Sequence, residues 1–197
     1  MNIQYVVNTV FRSCTYIITQ DDVTWLVDCG DVDKIIPLIV GRLGGVMLTH
    51  SHFDHIYGLN QLEERFPGTP IYTNEDGKQG LLSDKLNLSR YHEDPFVLDC
   101  PDCIRTLDDR QCLSLFEGIS AQAVYTPGHS PCCVSWVLDD AVFTGDSFIP
   151  GVKTVTLFPH ADKRLAMQSE LLVRQLARSR TIYPGHEPES NQSFQMI

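Results

Sequence analysis

The sequence predicts one layered body of mixed strands and helices, and three observations carry that expectation. The chain has 197 residues, 43% hydrophobic and 20% charged, enough to build a core without disulfide or metal staples. Short β-branched or aromatic runs alternate with helix-like periodicity in both halves, the pattern of an α/β or α+β body. No low-complexity linker or fixed-period repeat interrupts it. Residues 1–197 therefore read as a single domain, with a weakly patterned insertion at about 74–111 long enough to form a lid.

The first β signals are Cys14–Thr19 and Thr24–Val27, separated by the turn residues Gln20-Asp21-Asp22. Asp28-Cys29-Gly30-Asp31 breaks the strand, and a short helix follows around Asp33–Ile39 despite Pro37. Val46–Thr49 is a continuous apolar run, as in a strand covered on both faces. Leu59, Leu62 and Phe66 recur at helical spacing and end at Pro67-Gly68. Pro70–Thr73 reads as a strand. In the weak region, Leu81, Leu82, Leu86 and Leu88 suggest one helix followed by an irregular loop. Ala123–Thr126 is a strand, and Val134–Leu138 pairs with Ala141–Thr144 across Asp139-Asp140. Asp162 is placed to cap a helix running to about Arg178, with Leu165, Leu172 and Leu176 on its buried side. Thr181–Tyr183 is the last strand.

Charge and cysteine usage narrow the function classes. The net charge is −10, and with no Lys/Arg cluster nucleic acid is not an expected partner. No apolar run approaches ~18 residues, so no membrane span is expected. The first residues lack the basic start and apolar stretch of a secretory signal. The seven cysteines are odd in number and lack scaffold spacing, which suits thiols in a reducing, cytoplasmic setting.

The strand ends carry the chemistry. Leu48-Thr49 runs into His50-Ser51-His52-Phe53-Asp54-His55. Tyr125-Thr126-Pro127-Gly128 runs into His129, Thr144-Gly145 into Asp146, and Tyr183-Pro184-Gly185 into His186. Five of the seven histidines stand in these places. Buried imidazoles and carboxylates are costly unless paired or coordinating, and they are ligand types for zinc, iron or manganese. In an extended segment His50 and His52 point to one side, and Asp54 and His55 lie further along the turn, within reach of a second position. A bridging carboxylate can span the ~3.5–4 Å between paired ions.

Thr49-His50-Ser51-His52-Phe53-Asp54-His55, with Gly58 three residues on, resembles the T-H-x-H-x-D-H-x-x-G signature of the metallo-β-lactamase superfamily. Thr126-Pro127-Gly128-His129-Ser130, Thr144-Gly145-Asp146 and Pro184-Gly185-His186 are similar to its later motifs, in order. The resemblance implies an α+β fold, a four-layer αββα sandwich with a dinuclear metal site at one sheet edge. His50, His52 and His129 would hold one divalent ion, and Asp54, His55 and His186 the other. Asp146 would bridge them, with zinc the first expectation and iron or manganese the alternatives. Asp146 and Gly185-His186-Glu187 resemble the glyoxalase II-like branch. The chain stops eleven residues after His186, without the helical segment by which glyoxalase II grips glutathione, which argues against a glutathione thioester.

A bound divalent ion lowers the pKa of water from ~15.7 to about 7, so the implied activity is hydrolysis of a small-molecule ester, thioester or lactone. Asp54 is expected to be both ligand and catalytic group, orienting the nucleophile and passing a proton to the leaving group. Thr49 and Thr126 are placed to fix imidazole tautomers. Tyr57 and Phe148 are candidate pocket walls, and Lys153 a candidate contact to an anionic substrate group. A mononuclear iron enzyme of the persulfide dioxygenase kind, using His50, His129 and Asp146, is the alternative; a phosphodiesterase is disfavoured by the acidity. Cys100-Pro101-Asp102-Cys103 reads as two ordinary loop thiols. A structural zinc site with Cys112 and His92, or a redox pair, is the sharper alternative.

Overall fold

The computed structural model describes residues 1–187. In chain order it forms β1 (Asn2–Val7), β2 (Cys14–Gln20), β3 (Val23–Val27), α1 (Val32–Ile35), β4 (Arg42–Met47), α2 (Phe53–Ile56), α3 (Leu59–Arg65), β5 (Ile71–Thr73) and α4 (Glu75–Leu81). The second half forms β6 (Ile104–Thr106), β7 (Cys112–Phe116), β8 (Ile119–Tyr125), β9 (Val134–Leu138), β10 (Ala141–Gly145), α5 (Lys163–Leu176) and β11 (Thr181–Pro184). One sheet has the order β1-β2-β3-β4-β5-β6, the other β11-β10-β9-β8-β7.

The pairing pattern accounts for the layers. β3, β4, β5 and β6 run parallel to one another, and so do β10 and β11. Parallel neighbours need crossover connections, and here those crossovers carry helices. Along β2, β3 and β4, Ile17, Leu26 and Val46 join a core shared with Val32, Ile35, Ile56, Leu59, Leu62 and Leu81. Their alternate neighbours Tyr16, Ile18, Trp25, Val27 and Met47 join a second core with Ala123, Val134, Trp136 and Phe143 of the other sheet. Period-two alternation with both faces buried is why these strands read as unbroken apolar runs. Two indoles tie the sheets together: Trp136 Nε1 donates to the Leu48 carbonyl (2.9 Å), and Trp25 Nε1 to that of Leu115 (3.0 Å). The result is the expected sandwich of two sheets with helices outside. Among the described residues no helix is long and apolar enough to cross a membrane.

Four elements, and the buried face of a fifth, differ from expectation. β1 escapes the apolar criterion because it is an edge strand with mostly exposed or half-buried side chains. β6 is a three-residue edge strand, too short to show a period, and β7 follows it at the end of the weak region. The helix expected around Leu81–Leu88 lies earlier, as α4, because the Asn74 side chain accepts from Gly77 N (2.8 Å) and caps it there. Asp162 does cap α5, accepting from Arg164 N and Leu165 N. Its buried stripe, however, is Ala166, Ser169 and Val173, whereas Leu165 is exposed. The reason is steric: α5 approaches the Gly128 loop so closely that a Cβ on Gly128 would lie 2.2 Å from Ala166 N. Only small residues fit where the first turn of α5 meets that loop.

Candidate metal centre

The C-terminal ends of β4, β8, β10 and β11 converge, and all seven expected ligand side chains meet there. Nitrogen and oxygen atoms of three trios lie within 4.8 Å of one another: His50, His52 and His129; Asp54, His55 and His186; His50, His55 and Asp146. Asp146 stands between the first two. Its Oδ2 is 3.2 Å from His186 Nε2 and 3.5 Å from His129 Nε2, and its Oδ1 is 3.5 Å from His55 Nε2. Asp54 Oδ2 lies 3.3 Å from both His55 Nε2 and His186 Nε2.

Local backbone conformation makes the convergence possible. Gly145 takes φ +50° immediately before Asp146, and a Cβ there would lie 2.5 Å from the Thr49 side chain. Glycine admits both the conformation and the approach. His52 begins α2, so His52, Asp54 and His55 leave a single turn in different directions toward one centre. That turn is pinned from several sides: Cys29 N donates to the His55 carbonyl (2.8 Å), and Ser13 Oγ to the Asp54 carbonyl (2.6 Å). The insertion contributes too, because Phe53 N donates to the Asn87 carbonyl (2.9 Å).

Four of the five imidazoles are aimed by a partner on the far side. His55 Nδ1 donates to Asp28 Oδ2 (2.8 Å), His129 Nδ1 to the Val155 carbonyl (2.9 Å) and His186 Nδ1 to the Phe11 carbonyl (2.9 Å). Asp28 also accepts from Thr49 N and Thr49 Oγ1, both at 2.7 Å. The Thr49 hydroxyl proton is thereby committed, so its oxygen accepts from His50 Nδ1 (3.1 Å). In all four cases Nε2 is left facing the centre, the arrangement of outer partners that orients metal-binding histidines. His52 faces it through Nδ1, 2.9 Å from His129 Nε2.

The donor set fits a cation. His50 Nε2 and Asp146 Oδ1 are buried without a hydrogen-bond partner, and such groups are costly unless something else satisfies them. Burial, with the neighbouring His55, holds the His50 imidazole well below its ordinary range. Burial and His129 push His52 down to about 3. Both are therefore neutral donors at neutral pH. Burial opposes charge on His55 as well, but Asp54 and Asp28 outweigh it and raise that imidazole. At His186 the hydrogen bond with Asp146 likewise overcomes burial. Asp146 is held below the carboxylate range, burial being outweighed by that bond and by His55. Protonation of His55 or His186 would thus compete with a metal for the same nitrogens.

Other candidates fall elsewhere. The Tyr57 hydroxyl donates to Asp31 Oδ1 (2.5 Å), so it is committed to a carboxylate rather than to the centre. Phe148 is buried under α5, its ring 4.6 Å from the Arg174 guanidinium; it is a packing residue. Lys153 is exposed and does not line the pocket beside the centre. Thr126 bonds Ser135 and Ser147 and no imidazole, unlike Thr49. Cys100 and Cys103 form a disulfide, correcting the expectation of two thiols. Cys112 is exposed on β7, and His92 stacks against Phe53 at 4.3 Å, so these four do not form a metal group.

Two features escaped sequence reading. Asp28, with φ +59° and 1% exposure, follows β3 as the ligand candidates follow their strands. That placement was the available signal, but it was legible only as a turn. Phe158 sets its ring edge-on to His52 (5.4 Å) and His129 (5.6 Å); a single aromatic in a loop has no periodicity to reveal it.

The sequence profile described as the metallo-β-lactamase superfamily matches residues 8–186. A probable metallo-hydrolase of Streptococcus pyogenes serotype M6 is 28% identical, over 96% of this chain and 85% of its own. Glyoxylase B2 of Dictyostelium discoideum is 28% identical over 80% of this chain, which spans 55% of that relative's length. The crystal structure of BLEG-1, a B3 metallo-β-lactamase, superposes with a TM-score of 0.84 at 22% identity, covering 95% of this chain and 92% of that one. With its fold, its strand-end motifs and the profile in agreement, the chain belongs to the metallo-β-lactamase superfamily.

Proposed function

We propose that this protein is a dinuclear metal-dependent hydrolase of small esters, thioesters or lactones. The observation that carries the reading is the pair of trios, His50/His52/His129 and Asp54/His55/His186, with Asp146 between them. Zinc is the first candidate, iron or manganese the next, since imidazole and carboxylate suit all three. Divalent ions held there would bring the pKa of water toward neutrality and polarise a scissile carbonyl. The chain's residues supply the rest. Asp54 is placed to accept a hydrogen bond from the attacking water and to return a proton to the departing oxygen or sulfur. Asp28, Thr49 and the Val155 and Phe11 carbonyls keep the imidazole Nε2 atoms aimed inward. The Phe158 ring packs edge-on against His52 and His129.

Elemental analysis of purified protein, followed by a panel of chromogenic esters, thioesters and phosphodiesters, tests the proposal. The expected result is two divalent ions per chain with esterase or thioesterase turnover. One iron with oxygen consumption would establish the persulfide dioxygenase alternative instead. Asp146→Ala is expected to remove metal and nearly all turnover while leaving the circular dichroism spectrum folded. Full metal content and rate in that variant would overturn the two-ion assignment.

A further inference from the structure

Away from the candidate centre, and sharing no residue with it, Glu63, Cys100 and Cys103 form a further group of metal-ligating side chains among the described residues. A carboxylate oxygen and the two sulfurs lie within 4.8 Å of one another. Glu63 stands on α3, while Cys100 precedes and Cys103 ends the short 3-10 turn Pro101–Cys103 that leads into β6. Sequence reading offered Cys112 and His92 as partners for this cysteine pair; the fold supplies Glu63 instead.

The pair is closed as a disulfide, with its cysteines three residues apart. A cross-link over so short a loop removes little freedom from the unfolded chain, so stapling is a poor account of it. The segment is held without it. Asn60 of α3 donates to the Val97 carbonyl (2.9 Å) and accepts from Asp99 N (3.1 Å). Leu98 N donates to the Leu81 carbonyl (2.9 Å), Cys103 N to the Cys100 carbonyl (3.0 Å), and Ile104 pairs with Ile71. Opening the S–S bond therefore leaves the backbone that carries both sulfurs against α3. Glu63 is half-buried, and one of its oxygens accepts from Gly68 N (3.3 Å). None of the lysine or arginine ion pairs among the described residues involves it.

We infer that Cys100, Cys103 and Glu63 form a second, redox-gated metal site, closed as the disulfide and open, once reduced, to a thiophilic divalent ion such as zinc or cadmium. The C-x2-C spacing is that of thiolate zinc sites, and a carboxylate completes three protein ligands with water as the fourth. The gate is exchange with a dithiol. One thiolate of the dithiol attacks Sγ of Cys100, which is half-buried, whereas Cys103 is 3% exposed. The S–S bond breaks, and Cys103 leaves as a thiolate and takes up a proton. The second thiol of the reductant, giving up its proton, then displaces Cys100 and departs as a cyclic disulfide. Both electrons and both protons of the dithiol end on the two cysteines, which release those protons when the cation binds. The site stands apart from the hydrolase reading.

The test titrates cadmium into protein loaded with zinc in its disulfide form, before and after treatment with dithiothreitol that is then removed anaerobically. The reduced protein is expected to take up one more cadmium ion per chain, with a gain in thiolate-to-cadmium charge-transfer absorption. Cys112 is exposed and free in both forms, so it cancels in the comparison. Bound cadmium should protect Cys100 and Cys103 from iodoacetamide, read by peptide mass spectrometry. Cys100→Ser with Cys103→Ser should abolish the extra uptake, and Glu63→Gln should weaken it about tenfold or more. Equal uptake by the two forms, no gain in thiolate absorption, or an unchanged affinity in Glu63→Gln would overturn the inference. So would a disulfide that dithiothreitol leaves intact in the folded protein.

Discussion

A buried carboxylate that is not itself a proposed ligand sets much of the centre's geometry. Asp28 accepts from Thr49 N, Thr49 Oγ1 and His55 Nδ1, and so controls which nitrogens of His50 and His55 face inward. Asp28→Asn removes the charge and one acceptor oxygen. Metal affinity should fall about 10–100-fold, measured by competition with a chromogenic chelator, with the fold intact. An unchanged affinity would refute the orienting role. Protons and cations also compete for the same atoms. His55 and His186 have raised pKa values in the metal-free protein because Asp54, Asp28 and Asp146 favour their charged forms. A proton on either imidazole therefore competes with a metal for its Nε2. The sign follows: affinity rises with pH while these imidazoles lose their protons, then levels off. Calorimetric loading in buffers of different ionisation enthalpy should show proton release, and heats independent of buffer would contradict it.

At the scale of elements, the centre depends on loops held at close range. The Gly128 turn, at φ +140°, meets the first turn of α5 so tightly that any side chain would collide with Ala166. A residue forced into such a sparse conformation costs about 1–3 kcal/mol, and here a steric clash adds to it. Gly128→Ala should therefore lower Tm by about 2–4 °C for each kcal/mol lost and weaken metal binding through displaced His129. A melting point within a degree or so of the parent's would show that the turn relaxes. The Leu59/Leu62 helix and the capped α5 were legible because amphipathic spacing and an N-cap aspartate act locally. β6 was not, since Ile104 finds its place only opposite Ile71 on a strand distant in sequence. A three-residue edge strand has no pattern of its own.

Across the whole molecule, two faced sheets hold four strand ends in register at one edge. The indole of Trp136, fully buried, reaches across to the Leu48 carbonyl, two residues before His50. Trp136→Phe keeps most of the apolar volume but leaves that carbonyl without its donor, at a cost of about 1–3 kcal/mol. Thermal or urea unfolding should report the loss, and a variant as stable as the parent would mean the carbonyl finds another partner.

The amino-acid sequence by itself determined the donor chemistry and its location: which side chains can hold a cation, and that they stand just past strand ends, several after glycine. Those signals are local, carried by residue type, spacing and β-branched runs. The tertiary structure alone decided what lies behind and beside the donors. The Val155 and Phe11 carbonyls, Asp28 and Phe158 act through contacts between distant segments. A backbone carbonyl has no signature in residue identity, and a lone carboxylate or ring reveals its role only once the chain has folded around it.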